Sequence, residues 1–303
     1  MWFVIVRTIL SFITVALCLL AFYSSVLGIS MQNKSEQDPN TLYQTASDLY
    51  DQGRFTAAIQ ILDRVTTLRP NWAQAYNALC VSYKRARRPQ QAISACQRAA
   101  KLGPELVGPY FNLGVIYEAQ GQKEKAADAF RQVLRLQPDH AKAAYSLAGV
   151  YADLGKTRDA IREYKHVVQL MPNHADAHLG LGALCYQTGH YEDAAKALTR
   201  AIELVPDNPT ARENLGLVYL SQKKFQKASQ ALKSAVALES DNPESRYFLG
   251  LAFMGLGQRE QAIEQFKKLK TLNSEFAGKL YRIIYADKLL VVDQAQTKPK
   301  IRF

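Results

Sequence analysis

Apolar residues along this chain recur at 3, 4 and 7 residue spacings over most of residues 39–274, the pattern of amphipathic helices. The helical runs are short and come in pairs, and the pairs repeat. Pro70, Pro104, Pro138, Pro172 and Pro206 mark the interval, each 34 residues after the last. A fixed period of that length is expected of one helix–turn–helix unit copied and stacked. With the proline as position 32, units start at Pro39, Ala73, Val107, Ala141, Ala175, Pro209 and Pro243.

The columns of the repeat have a physical logic. Position 8 reads Ala46, Cys80, Gly114, Ala148, Gly182, Gly216, Gly250, and position 20 is alanine in all seven units, from Ala58 to Ala262. Small residues there allow two helices to approach closely. Position 7 is leucine except at Thr45, and position 11 reads Leu49, Tyr83, Tyr117, Tyr151, Cys185, Tyr219, Phe253. Positions 4, 7, 8 and 11 share one face of a first helix; positions 20, 24 and 27 share one face of a second. Gly53, Gly121, Gly155, Gly189 and Gly257 occupy position 15, where a turn needs a left-handed residue. Arg87 and Lys223 stand there in two units, which predicts strained or differently shaped turns. Proline ends each second helix, and the Asp or Asn after it is expected to cap the next first helix. The sixth unit has Ser240 in place of the proline, with Asp241-Asn242-Pro243 following.

These residues resemble the tetratricopeptide repeat (TPR) family, most directly at Leu113-Gly114 with Tyr117. The resemblance covers residues 39–274 and implies an all-α, right-handed superhelical solenoid of seven helix-turn-helix units. Residues 275–291 read as an amphipathic helix that caps the last repeat, and residues 292–303 as a flexible tail. The resemblance also implies a concave wall built from the first helices, with ligand contacts at positions 2, 5, 6, 9, 12 and 13. The candidate partner-binding residues on that basis are Tyr43, Asn77, Phe111, Asn112, Lys142, Tyr145, Tyr186, Asn214 and Tyr247. The strip is partly aromatic, which suits an extended peptide or a partner helix. The alternative is that it packs within the superhelix. The carboxylate grip of chaperone-binding family members is mostly missing: Asn112 and Lys142 match, whereas Asn77, Val81 and Ser146 do not.

The N-terminal end adds a second element. Thr8 to Ile29 is free of charge and as a helix would span about 33 Å, enough for a bilayer core. It reads as an uncleaved signal-anchor over residues 1–29, with 30–38 as a linker; cleavage near Val26-Leu27-Gly28 is the alternative. Arg7 before the run gives a slight bias toward repeats on the non-cytoplasmic side of a single-pass protein.

The formal net charge of +11 allows an anionic surface as partner, and Lys84, Arg85, Arg87 and Arg88 form the densest basic cluster. No nucleic-acid motif accompanies it, so the cluster reads as a solvated turn and no nucleic-acid partner is expected. Cys80, Cys96 and Cys185 occupy packing columns and read as buried free thiols; a Cys80–Cys96 bond is possible only in an oxidising compartment. His174 and His178 have zinc-like spacing, but a loop and a packing column account for them. Neither a nucleophile motif nor a phosphate-binding glycine loop is present, so the chain is not expected to be an enzyme, nor to carry a cofactor or metal. The sequence reading is a membrane-anchored scaffold that holds a protein partner. The alternatives are a structural role for the basic face on anionic lipid or polymer, and a non-catalytic subunit of a secretion or assembly complex.

Overall fold

The computed structural model describes residues 38–285. The expected anchor at residues 8–29 and the tail at 292–303 lie outside these. The described residues form two compact units, 38–121 and 122–285. All regular structure in both is helical. The first unit holds α1 (Pro39–Asp51), α2 (Phe55–Leu68), α3 (Ala73–Arg85), α4 (Pro89–Leu102) and α5 (Val107–Ala119). The second holds α6 (Lys123–Leu136), α7 (Ala141–Asp153), α8 (Thr157–Leu170), α9 (Ala175–Gln187), α10 (Tyr191–Leu204), α11 (Pro209–Ser221), α12 (Phe225–Leu238), α13 (Pro243–Gly255), α14 (Arg259–Thr271) and α15 (Glu275–Tyr285). Within each unit, every helix packs against the next. The seven first helices begin at the seven unit starts read from the proline period. Among the described residues no helix is long and apolar enough to cross a membrane.

The small-residue columns hold the helix pairs together. All seven alanines of position 20 are fully buried. At position 8, a Cβ on Gly182 would lie 2.5 Å from Leu198 Cγ, and one on Gly216 would lie 2.4 Å from Leu232 Cγ. Both leucines occupy position 24 of the same repeat. The two helices therefore meet at a distance that leaves no room for a methyl group.

In the second repeat the same two positions are Cys80 and Cys96, and their sulfurs are bonded, with Cα atoms 5.1 Å apart. This corrects the expectation of free thiols. The helix pair brings positions 8 and 24 to a separation that a disulfide spans without distortion of the backbone. Cys185 is the free cysteine among the described residues, and it is buried.

Two other expectations change. The turn residues Arg87 and Lys223 both adopt φ 57°, in the left-handed region, beside glycines at φ 69° to 82°. The turn keeps its shape, and the side chains bear the steric cost. The helix caps lie one residue later than expected, at position 34. Asn208 Oδ1 accepts the Ala211 N–H at 2.9 Å, and His140 and His174 use Nδ1 in the same way, at 3.1 and 3.2 Å. Asn242 caps α13 through the Glu244 and Ser245 N–H groups. Side-chain geometry, more than residue type, decides the position, because the capping atom must reach the third N–H of the helix.

The end of the second unit is closed by α15. Leu280 and Ile284 are buried, and Leu280 occupies the space above Gly250. Phe276 stacks on Tyr247, with ring centroids 5.2 Å apart.

Three stability changes follow. Gly216→Ala should lower stability by about 1–3 kcal/mol through overpacking against Leu232, read by chemical denaturation. Arg87→Gly should raise it by roughly 0.5–1 kcal/mol by relieving the left-handed residue; an unchanged or lower midpoint would count against strain at this turn. Cys96→Ser should cost about 3 kcal/mol, and reductant should lower the melting temperature of the wild-type chain but not of this variant.

Candidate functional site

The first helix of each repeat has two faces. Positions 4, 7 and 11 point one way; positions 2, 5, 9 and 12 fall on the opposite side by the 100° step of the helix. The second face carries most of the sequence-derived candidates, and the structure divides them by unit.

In the first unit this face is partly open. Between α1 and α3 lies a cleft of about 190 Å³ with Tyr43, Tyr50, Ala78 and Val81 on its walls and Leu62 at its floor. Tyr43 and Tyr50 are one heptad apart, so both rings project from the same side of α1. Both are half-buried. Tyr43 rests on Trp72, with centroids 4.8 Å apart, and Arg69 lies over the same indole at 5.0 Å. Tyr50 was not among the sequence candidates, although its spacing from Tyr43 was the signal.

Further along the same unit, α3 carries Asn77 and Lys84, and α5 carries Phe111 and Asn112. Lys84 donates to Asn112 Oδ1 at 2.5 Å, and Asn112 Nδ2 donates to the Gly108 carbonyl at 2.9 Å. Lys84 was expected in a solvated basic turn. It is half-buried instead, and burial, with Arg85 nearby, holds its ammonium pKa below the usual lysine value. Asn112 is itself buried, so its amide orders α3 against α5. Asn77 packs its amide against Gly108, and its buried Oδ1 lacks a hydrogen-bond partner. Phe111 is half-buried.

In the second unit the corresponding face is largely filled. Leu179, Ala183 and Tyr186 on α9, and Glu213, Leu217 and Leu220 on α11, are all buried. Tyr186 receives a hydrogen bond from Ser221 Oγ at 3.4 Å and packs against Tyr191. Asn214 is 0% exposed. Neither presents a surface to a peptide in this structure, so packing accounts for both. Glu213 is buried as an acceptor: Asn242 Nδ2 donates to it at 3.3 Å, and Ser245 Oγ makes a short hydrogen bond to the same oxygen. Tyr145 is held between Tyr164 at 5.9 Å and His174 at 4.7 Å. Tyr247 is covered in part by Phe276. Lys142 remains exposed.

The basic cluster is also resolved. Arg85, Arg87 and Arg88 are exposed at the α3–α4 turn, and none makes an ion pair among the described residues. Arg85 lies over the Phe55 ring at 5.9 Å. Among the described residues, no group of three His, Cys, Asp or Glu side chains is placed to hold a metal. His178 is engaged by the Pro172 carbonyl, 3.0 Å from Nε2, and Arg212 and Arg246 make the same link in the next two repeats.

Comparison with known proteins agrees with the repeat fold. A family model described as the cilia and flagella-associated protein 70 C-terminal domain matches residues 106–296, more than half of the chain. A tetratricopeptide repeat model matches residues 43–106. Curated proteins yield no match. Among solved structures, a crystal structure of MamA is 30% identical, with a TM-score of 0.52 over 53% of this chain and 94% of that one. YrrB, described as a TPR protein with an unusual peptide-binding site, is 20% identical, with a TM-score of 0.58 over 61% of this chain and 95% of that one. PilF of Pseudomonas aeruginosa is 16% identical, with a TM-score of 0.55 over 69% and 96%. The last two share the fold. With its repeat columns, its paired helices and these matches, the chain belongs to the tetratricopeptide repeat family and, over residues 106–296, to the family of the cilia and flagella-associated protein 70 C-terminal domain.

Proposed function

We propose that the chain is a non-catalytic interaction scaffold that holds a segment of a partner protein against the first-helix face of the first unit. The observation that carries this reading is the open, tyrosine-walled cleft between α1 and α3. Two rigid rings over an apolar floor offer contact area at small entropic cost, and half-buried tyrosines gain most when a partner excludes the remaining water. The cleft is small, so it suits one or two side chains of an extended or helical segment rather than a whole small-molecule ligand.

The proposal includes a membrane tether through residues 8–29, with the repeats outside the cytoplasm. The support is the uncharged run in the sequence together with the Cys80–Cys96 bond, which persists in oxidising compartments. A tether of this kind raises the local concentration of a membrane-proximal partner. A second reading rests on Arg85, Arg87 and Arg88, whose exposed side chains have no carboxylate partner among the described residues. They would draw the first unit toward anionic lipid or polymer.

Photo-crosslinking from position 50 in living cells should capture a discrete partner. Tyr43→Ala with Tyr50→Ala should weaken that partner's affinity by about tenfold or more while far-ultraviolet circular dichroism stays unchanged. Retained affinity in the double variant would overturn the cleft as the seat. Release of the partner by 0.5 M salt without effect from the tyrosine changes would favour the basic-face reading.

A further inference from the structure

The second unit holds a larger cleft on the opposite face of the first helices. It lies over α9 and between α8 and α10, and measures about 750 Å³. The second repeat has a cleft on the same face, walled by Tyr76 and Tyr83 at positions 4 and 11, and it measures about 390 Å³. In the fifth repeat these positions are His178 and Cys185. Position 11 is aromatic in five of the seven repeats, and Cys185 breaks the column with the smallest side chain in it. The thiol is buried at the cleft floor, and burial pushes its pKa up, so it stays a neutral, apolar surface rather than a nucleophile.

The other repeats show what the missing ring would meet. At position 25, Lys233 of the sixth repeat lies over the position-11 ring of the next, Phe253, with Nζ 5.2 Å from the centroid. At position 26, Arg98 lies over Tyr76, the position-4 ring of its own repeat, at 5.8 Å, and in the fifth repeat position 4 is His178. The fifth-repeat cleft keeps both cations. Lys165 is position 25 of the preceding repeat and Arg200 is position 26 of its own, and both line the cleft. Arg200 is held at the rim by Glu203 at 2.9 Å and Asn173 at 2.8 Å. Lys165 and Lys196 are exposed and make no ion pair among the described residues; Asp193 is the remaining rim carboxylate. Lys165, the counterpart of Lys233, is thus in place without the position-11 ring that Lys233 covers.

We infer that this outer cleft receives an aromatic side chain of a partner polypeptide, flanked by an acidic residue, in the space that position 11 fills with its own ring elsewhere. The ring would lie on Leu181 and Cys185 beneath Lys165, and the neighbouring carboxylate would meet Lys165 and Lys196. The site is separate from the tyrosine-walled cleft of the first unit, and it stands or falls on its own observations.

Fluorescence anisotropy on the full-length chain, in detergent micelles, tests this with labelled Gly/Ser peptides carrying a central Asp-Tyr-Asp, Asp-Ala-Asp or Lys-Tyr-Lys. The first should bind about tenfold more tightly than either control. Cys185→Tyr, which returns the ring, should abolish that preference and raise the melting temperature by about 2–4 °C. Lys165→Ala with Lys196→Ala should weaken the Asp-Tyr-Asp peptide about tenfold, whereas Tyr43→Ala with Tyr50→Ala should leave it unchanged. Equal binding of the three peptides, or full binding by Cys185→Tyr, would overturn the inference. A Cys185→Tyr chain that melts lower or fails to fold would do so too, since the cleft would then have no room for a ring. Loss of binding in the tyrosine variant alone would assign the peptide to the first unit and reject the outer site.

Discussion

Each helix pair in this protein depends on how closely two backbones can approach. At Gly182 and Gly216 the opposing leucine stands where a Cβ would be. That contact sets the angle and depth of the hairpin, and the alanines of position 20 complete it from the other helix. The turn geometry follows from it, including the left-handed residue at position 15 that is tolerated even as arginine or lysine. So does the disulfide, which occupies the same two columns in the second repeat. A covalent bond and a glycine–leucine contact are here two solutions to one spatial requirement.

The starts of the seven first helices were legible in the sequence to the residue. Proline at position 32 and glycine at position 15 punctuate the chain chemically, and punctuation of that kind is local. What failed to show was non-local. The period placed Tyr186 and Asn214 on the inward side of their helices, but it could not tell how deep that side lies. In the second unit, adjacent helices fill it, with Leu179, Ala183, Leu217 and Leu220 all buried. Lys84 looked like part of a charged turn because its sequence neighbours are arginines. Its side chain turns the other way, to an asparagine 28 residues later. The caps at His140 and His174 escaped notice because histidine is seldom weighed as a capping acceptor, yet Nδ1 reaches the same N–H as an asparagine oxygen does.

The two clefts illustrate how a repeat acquires individuality. In an array of near-identical units, function is carried by departures from the consensus rather than by the consensus itself. Position 12 varies freely and places the Tyr50 ring on the cleft of α1, and Cys185 removes a ring from the position-11 column on α9. Neither change touches the small-residue contact, so the helix pair keeps its geometry in both repeats.

The disulfide has a consequence for how the first unit comes apart. An array whose members lean only on their neighbours frays from an end, one hairpin at a time. A bond between α3 and α4 stops that process at the second hairpin. Hydrogen exchange within α1 and α2 can then be fast while α3 and α4 remain closed. The open tyrosine cleft lies across this boundary, with one wall on α1 and the other on the locked α3. Its two walls thus differ in how they are held: α3 is bonded covalently to α4, whereas α1 rests on its neighbours through packing such as that of Leu42, Val65 and Ala75.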